Sequence, residues 1–174
     1  FRSSTFDRFR PDIPWSSIAT GPGHGIRSQE GRLLIPVWLA YGHTGSLRPS
    51  VVATIYSDDH GQSWKNGNVA IMNEGKIQNP AESAITQLPD GSIMLNARSE
   101  SRTGRRITVS SPDGARGWSP PRFDHDLAEP ICQGSLLTLS DGRLIFANPR
   151  WLRTTDTGVE IPGARAEQIG RAHV

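Results

Sequence analysis

The sequence predicts an all-β fold, a run of about two and a half to three blades of a β-propeller, and three observations carry that prediction. One shape, an acidic residue, a glycine and then an apolar strand, occurs three times: EGRLLIPV from Glu30, DGSIMLNA from Asp90 and DGRLIFAN from Asp141. The glycines Gly31, Gly91 and Gly142 lie 60 and 51 residues apart. A turn pattern, Ser57-x-Asp59-x-Gly61-x-Ser63-Trp64, returns 54 residues later as Ser111-x-Asp113-x-Ala115-x-x-Trp118, with alanine where the first copy has its glycine. The composition, 18 Gly and 13 Pro with 35% hydrophobic residues, suits many short strands and turns. A period near ~50 residues with several strands per unit signals blades around an axis. An open β-sandwich would explain the strands but not the repeat.

Each unit reads as an inner strand, a tight turn, a second strand, a loop, a third strand, the Ser-x-Asp turn and an outer strand. In the first unit these fall at 25–27, 32–39, 51–56 and 68–72. The third strand, VVATIY, is a β-branched run, and Ser57 to Gly61 supply the small polar residues a chain reversal needs. Asp59 can accept backbone N–H groups across that reversal, Gly61 can take positive φ, and Trp64 can lie on the hairpin base. In the second unit the strands fall at 84–88, 92–98, 106–110 and 118–123, with Leu88-Pro89-Asp90-Gly91 as a type I turn ending in a left-handed glycine. A third unit starts at 134–139 and 143–146 and then fades. Residues 1–166 are expected to form the partial propeller and 167–174 a non-native tail. The final Ile169-Gly-Arg-Ala-His-Val174 fits no strand of the pattern and reads as a translated sequencing adapter, so native sequence is expected to end near 165–168.

Charge excludes some partners. Nineteen basic and 17 acidic residues give a net charge of +2, and only Arg102, Arg105 and Arg106 are bunched, so no nucleic-acid partner is expected. No apolar run reaches the ~18 residues of a membrane span. The single cysteine, Cys132, cannot form an intrachain disulfide or a metal cluster and is expected to be a small buried hydrophobe. No metal and no cofactor is expected, and the oligomeric state is not encoded in any feature of the sequence.

The second hairpin places two chemically active groups together. Its turn sets partners so that Glu82 faces Arg98 at the end away from the turn. Such a pair is either a rim salt bridge, worth about 0–1 kcal/mol, or part of a site.

The segment NPAESAITQLPDGSIMLNARS, from Asn79 to Ser99, closely resembles bacterial exo-sialidases, in which N-x-x-E and L-x-D-G-x-x-x-L-N-x-R occur in this arrangement. GPGHGI, GRLLIPVW, YSDDHGQSW, PRFDHDL and LIFANP extend the resemblance over most of residues 12–150. The Ser-x-Asp turn resembles the family's Asp box, with Ser57, Asp59, Gly61 and Trp64 in the first copy and Ser111, Asp113 and Trp118 in the second. The resemblance implies a fragment of a six-bladed propeller that releases terminal sialic acid from a sialylated glycan with retention, secreted or periplasmic in the parent organism. It implies that Glu82 is the catalytic base activating a tyrosine nucleophile and that Arg98 is one of three arginines clamping the substrate carboxylate. A neutral tyrosine suits an anionic sugar, because a carboxylate nucleophile would be repelled by the substrate's own charge. The first arginine and the acid/base aspartate have no match in 1–22, and the third arginine and the tyrosine belong to later blades, so the fragment alone is expected to be inactive. Tyr41 and Tyr56 are expected to be structural, His24 and His43 solvated, and Arg150 and Arg153 lack a flanking strand. Aligning the hairpins on their glycines adds Trp38 as a candidate wall for the sugar and Gln133 as a candidate hydroxyl partner. A non-catalytic Asp-box carbohydrate-binding propeller and a propeller glycosidase of neutral sugars are the alternatives.

Overall fold

A computed structural model of the chain describes residues 9–10, 12–43, 45–149 and the backbone of 171–173. Among them lie three antiparallel sheets and no helix. The first sheet has β1 (Ser17–Thr20), β3 (Leu33–Ala40), β4 (Ser50–Ser57) and β5 (Lys65–Ile71) in that order, with β2 (Ile26–Arg27) also paired to β3. The second runs β6 (Ser83–Gln87), β7 (Ile93–Ala97), β8 (Arg105–Ser111), β9 (Arg122–Ala128). The third holds β10 (Ser135–Thr138), β11 (Leu144–Ala147) and β12 (Arg171–His173). Apart from β1, which pairs with β3 beside the short β2, neighbours in each meander are consecutive in sequence, as expected of propeller blades.

The three turns are built alike. Gly31, Gly91 and Gly142 have φ of 89°, 87° and 88°. At each the glycine N–H donates to the carbonyl three residues back, at 2.9 Å for Ser28, Leu88 and Leu139. Those same residues donate their own N–H across the hairpin at 2.8 Å, to the carbonyls of Arg32, Ser92 and Arg143. Glycine is needed here because its φ lies in the left-handed region.

Three details depart from the sequence-based expectation. The inner strand of the first sheet is split, with β1 unforeseen and residues 21–25 looping out between β1 and β2. The fourth strand of the second sheet starts at Arg122 rather than 118, because Pro120 and Pro121 have no N–H to give to a ladder. The third sheet does not end at residue 146: the backbone of Arg171–His173 pairs with Leu144–Phe146. That pairing uses main-chain groups that any residue carries.

β4 is buried along its whole length, so alternate side chains enter two cores. Val52 and Tyr56 face the second sheet in a cluster with Leu34, Ile85, Ile93, Leu95, Ile107 and Val109. Val51, Ala53 and Ile55 face the other way, with Phe9, Val37 and Leu39. Each buried valine, leucine, isoleucine or phenylalanine among them contributes about 1.5–3 kcal/mol by leaving water. The third sheet docks on the second through Ala84, Leu127, Leu136 and Phe146. Thr138 adds a hydroxyl that donates to the Gln87 carbonyl at 2.7 Å.

Both Ser-x-Asp boxes sit at the turn end of the sheets. In the first, Gly61 N–H donates to Ser57 Oγ at 2.8 Å and Ser63 N–H donates to Asp59 Oδ1 at 2.8 Å. Gly61 has φ 90°, as its turn requires, and Trp64 packs on the outer cluster. In the second, Asp113 Oδ1 accepts from Ala115 and Arg116 N–H at 2.8 and 2.7 Å, and Trp118 packs on the main core. Arg32 joins the two boxes: Nε donates to Asp58 Oδ1 at 2.7 Å, Nη1 to Asp113 Oδ2 at 3.0 Å, and the guanidinium lies 4.4 Å from the centre of the Tyr56 ring. The turn end thus holds blades together.

Candidate active site

Glu82 immediately precedes β6 and Arg98 immediately follows β7, so the hairpin ladder delivers both to the end away from its turn. The ladder runs from Gln87 facing Ile93 to Ser83 facing Ala97, and one step further Arg98 N–H donates to the Glu82 carbonyl at 3.0 Å. Arg98 Nε lies 3.0 Å from Glu82 Oε2 with both side chains partly exposed, but Nε–H is not aimed along a hydrogen bond to that oxygen. The guanidinium instead donates from Nη1 to the Ile131 carbonyl at 3.1 Å.

The pair opens into a cavity of about 700 Å³ across the seam between the second and third sheets. Glu82 and Arg98 line one side, and Cys132, Gln133, Asn148 and Pro149 line the other. The volume suits a small ligand of sugar size. Gln133 and Pro149 hold the same offsets from Gly142 as Glu82 and Arg98 hold from Gly91, so equivalent positions of two hairpins meet here.

Trp38 does not join them. The loop at 21–25 shifts the first hairpin, so Trp38 faces Ala19 rather than Pro22, the residue that stands nine before Gly31 as Glu82 stands nine before Gly91. Its ring packs on the main core and borders a smaller hollow of about 110 Å³ shared with Arg48, Asn79, Arg98 and Glu100. There Arg48 Nε donates to Glu100 Oε1 at 2.6 Å and Asn79 Nδ2 to Glu100 Oε2 at 2.8 Å. The Arg48 hydrogen bond holds the Glu100 carboxyl below the usual range, and the Asn79 bond adds to this.

Both tyrosines are engaged elsewhere. Tyr56 is buried in the main core, and Tyr41 packs edge-on against Trp15 with ring centres 5.8 Å apart. His24 and His43 are exposed. Arg150 and Arg153 lie outside the described residues. Cys132 corrects an expectation: it is half-buried and lines the cavity, because it sits on a loop rather than on a core-facing strand. Among the described residues no three metal-ligating side chains come together.

Sequence reasoning missed Arg106 and Glu129. Arg106 is fully buried, with Nε donating to Asn96 Oδ1 at 2.6 Å and Nη1 to Glu129 Oε2 at 2.7 Å and to the Cys132 carbonyl at 2.7 Å. Burial pushes the Arg106 guanidinium down and the Glu129 carboxyl up, against their mutual attraction. Along β8 the apolar residues are Ile107 and Val109, so alternation puts Arg106 on the polar face. No local signal shows that a later loop covers it.

Residues 4–158 match the family model described as the BNR repeat-like domain. The chain is similar to sialidase-4 of Mus musculus, at 34% identity over 133 residues covering 71% of this chain and 26% of that protein. It is also similar to a sialidase of Bacteroides fragilis, at 30% identity over 146 residues covering 79% and 25%. Among solved structures, Hadza microbial sialidase Hz136 superposes with a TM-score of 0.65 at 26% identity, over 86% of this chain and 30% of that one. A leech intramolecular trans-sialidase, at 22% identity and a TM-score of 0.64 over 90% of this chain and 24% of that one, shows the same fold. The chain therefore spans about a quarter of the length of these two sialidases, and it belongs to the BNR repeat-like domain family as part of a sialidase-type β-propeller.

Proposed function

We propose that this chain supplies the glutamate and one arginine of the active site of an exo-sialidase. The observation that carries this reading is the Glu82–Arg98 pair opening into a sugar-sized cavity, on a fold shared with sialidases. The substrate class is a glycan ending in sialic acid, whose permanent carboxylate is what a guanidinium fork binds. On this reading Arg98 trades its unaligned contact with Glu82 for the substrate carboxylate. Glu82, released, accepts the proton of a tyrosine as that oxygen attacks the anomeric carbon and the glycosidic bond breaks. The leaving oxygen takes its proton from the family's acid/base aspartate, and the base role is worth roughly 10²–10⁴ in rate. The tyrosyl–sugar bond is then hydrolysed, with overall retention. Gln133 hydrogen-bonds the sugar's hydroxyls, and Trp38 borders the approach from the far side of Arg98. The chain's only tyrosines, Tyr41 and Tyr56, are committed to packing, so by itself the chain binds and does not turn over.

Cys132, the sole cysteine and a lining residue, is a built-in reporter. In the full chain, N-acetylneuraminic acid is expected to slow iodoacetamide alkylation of Cys132, galactose is not, and Arg98→Lys removes the protection. Equal protection by both sugars, or by neither, overturns the reading. In the full-length protein Glu82→Gln is expected to lower kcat on a fluorogenic sialoside with little change in KM. Unchanged kcat would remove Glu82 from the chemistry.

A further inference from the structure

We infer that the buried Arg106–Glu129 pair is a positioning device, which sets the conformation of the 130–133 loop and, through that loop, the aim of Arg98. The inference deepens the proposed function, because it says what holds the proposed carboxylate-binding arginine in place.

The pair grips the backbone of one residue, Cys132, from both sides, and the Cys132 N–H shares a peptide plane with the Ile131 carbonyl. Glu129 Oε1 accepts the Cys132 N–H at 3.0 Å, and Arg106 Nη1 donates to the Cys132 carbonyl at 2.7 Å. Arg106 is itself fixed by both ends of one residue, Nε donating to Asn96 Oδ1 at 2.6 Å and Nη2 to the Asn96 carbonyl at 3.2 Å. Asn96 lies on β7, two residues before Arg98. The residue preceding the gripped cysteine, Ile131, has φ 60°, a left-handed conformation that is strained for a β-branched side chain. Its side chain is 39% exposed, so apolar burial does not hold it there. Its carbonyl is the acceptor for Arg98 Nη1. A continuous path therefore runs from the sealed pair, through the Cys132 peptide and the Ile131 carbonyl, to the guanidinium at the cavity.

Stability alone does not account for such a pair. Two charges without solvent contact are costly to bury, and apolar side chains of similar volume would fill the space at least as well. What apolar side chains cannot supply is a direction: a donor and an acceptor set to hold the two peptide planes that flank one residue. Phe146, with its ring 5.5 Å from the guanidinium, closes the pocket from the third sheet.

The test uses the full chain and its single cysteine. The double variant Arg106→Met/Glu129→Leu is expected to keep or raise the Tm while its Cys132 alkylation rate rises about tenfold. Rates are compared on the high-pH plateau, where the thiol is fully ionised and the loss of a nearby charge does not enter. Arg106→Lys, which keeps the charge but not the fork, is expected to show an intermediate rate and serves if the double variant fails to fold. N-acetylneuraminic acid, as the probe, is expected to bind the variants about tenfold more weakly than the wild type. A folded variant with the wild-type alkylation rate overturns the inference. Failure of the sugar to protect even the wild-type chain overturns the proposed function instead, while the alkylation rate without sugar still judges the loop.

Discussion

The two Ser-x-Asp boxes share a pattern and differ in employment. The first closes its own hairpin: its bonds run among Ser57, Asp59, Gly61 and Ser63, His60 is exposed, and only Asp58 reaches out, to Arg32 and Lys65 of the same blade. The second is wedged into the neighbouring blade, where the Gly114 carbonyl accepts Thr54 Oγ1 at 2.6 Å and the Ala115 carbonyl accepts Asn68 N–H at 2.7 Å. Its missing fifth-position glycine follows from this. Position four is left-handed in both boxes, His60 at φ 58° and Gly114 at φ 71°, but the other left-handed residue is Gly61 at position five in the first box and Gly117, with φ 63°, at position seven in the second, which frees position 115 for an alanine that is buried in the seam. A box that looks degenerate by pattern has been turned into an inter-blade joint.

That contrast can be broken at its most crowded point. A Cβ on Gly114 would sit 2.6 Å from Leu34 Cδ1 and 2.9 Å from Cδ2, and Leu34 is fully buried with nowhere to go. Gly114→Ala is expected to cost about 3 kcal/mol or more through overpacking and strained φ together. Gly61→Ala meets Leu33 only at 3.7 Å and is expected to cost about 1 kcal/mol, from φ alone. Urea unfolding of both variants decides it, and equal losses would mean that the boxes are equivalent. A smaller effect is expected for Thr54→Val, which strands the buried Gly114 carbonyl at a cost of about 1–2 kcal/mol.

Acid supplies the mildest probe. Hydrogen bonds from the Ser63 hydroxyl and N–H hold the Asp59 carboxyl well below the usual range, and the Ser57 hydroxyl adds to this. Because the folded value lies below the unfolded one, this stabilisation is present above about pH 4 and is lost as pH falls further. The urea midpoint is therefore expected to decline from about pH 5 downward, and less steeply in Asp59→Asn. Identical slopes would remove Asp59 from acid sensitivity and leave the other hydrogen-bonded carboxylates, among them Asp113 and Glu100, as its source.

Much of the site was legible because it depends on a hairpin register that four residues set. Leu88-Pro89-Asp90-Gly91 specifies the turn, the turn specifies partners, and Glu82 falls opposite Arg98 as observed. The same reasoning carried Gln133 and Pro149 to the cavity, since the third hairpin turns identically. It failed for Trp38, because the loop at 21–25 interrupts the count without disturbing the turn at Gly31. It could not reach Arg106 and Glu129, whose meeting depends on a loop from beyond β9 folding back over β8. Local periodicity reports which face of a strand is apolar and says nothing of what later chain will seal a polar one.

The cavity's position on a seam carries a last consequence. Its walls come from two sheets whose shared apolar cluster is small, formed by Ala84, Leu127, Leu136 and Phe146. A ligand held at once by Arg98 and by Gln133 would fasten those sheets together, and by mass action it would favour only states in which both are docked. Occupancy would then act as a thermodynamic cross-link, fusing the melting of two neighbouring blades into one transition and making cooperativity itself a reading of whether the site is filled.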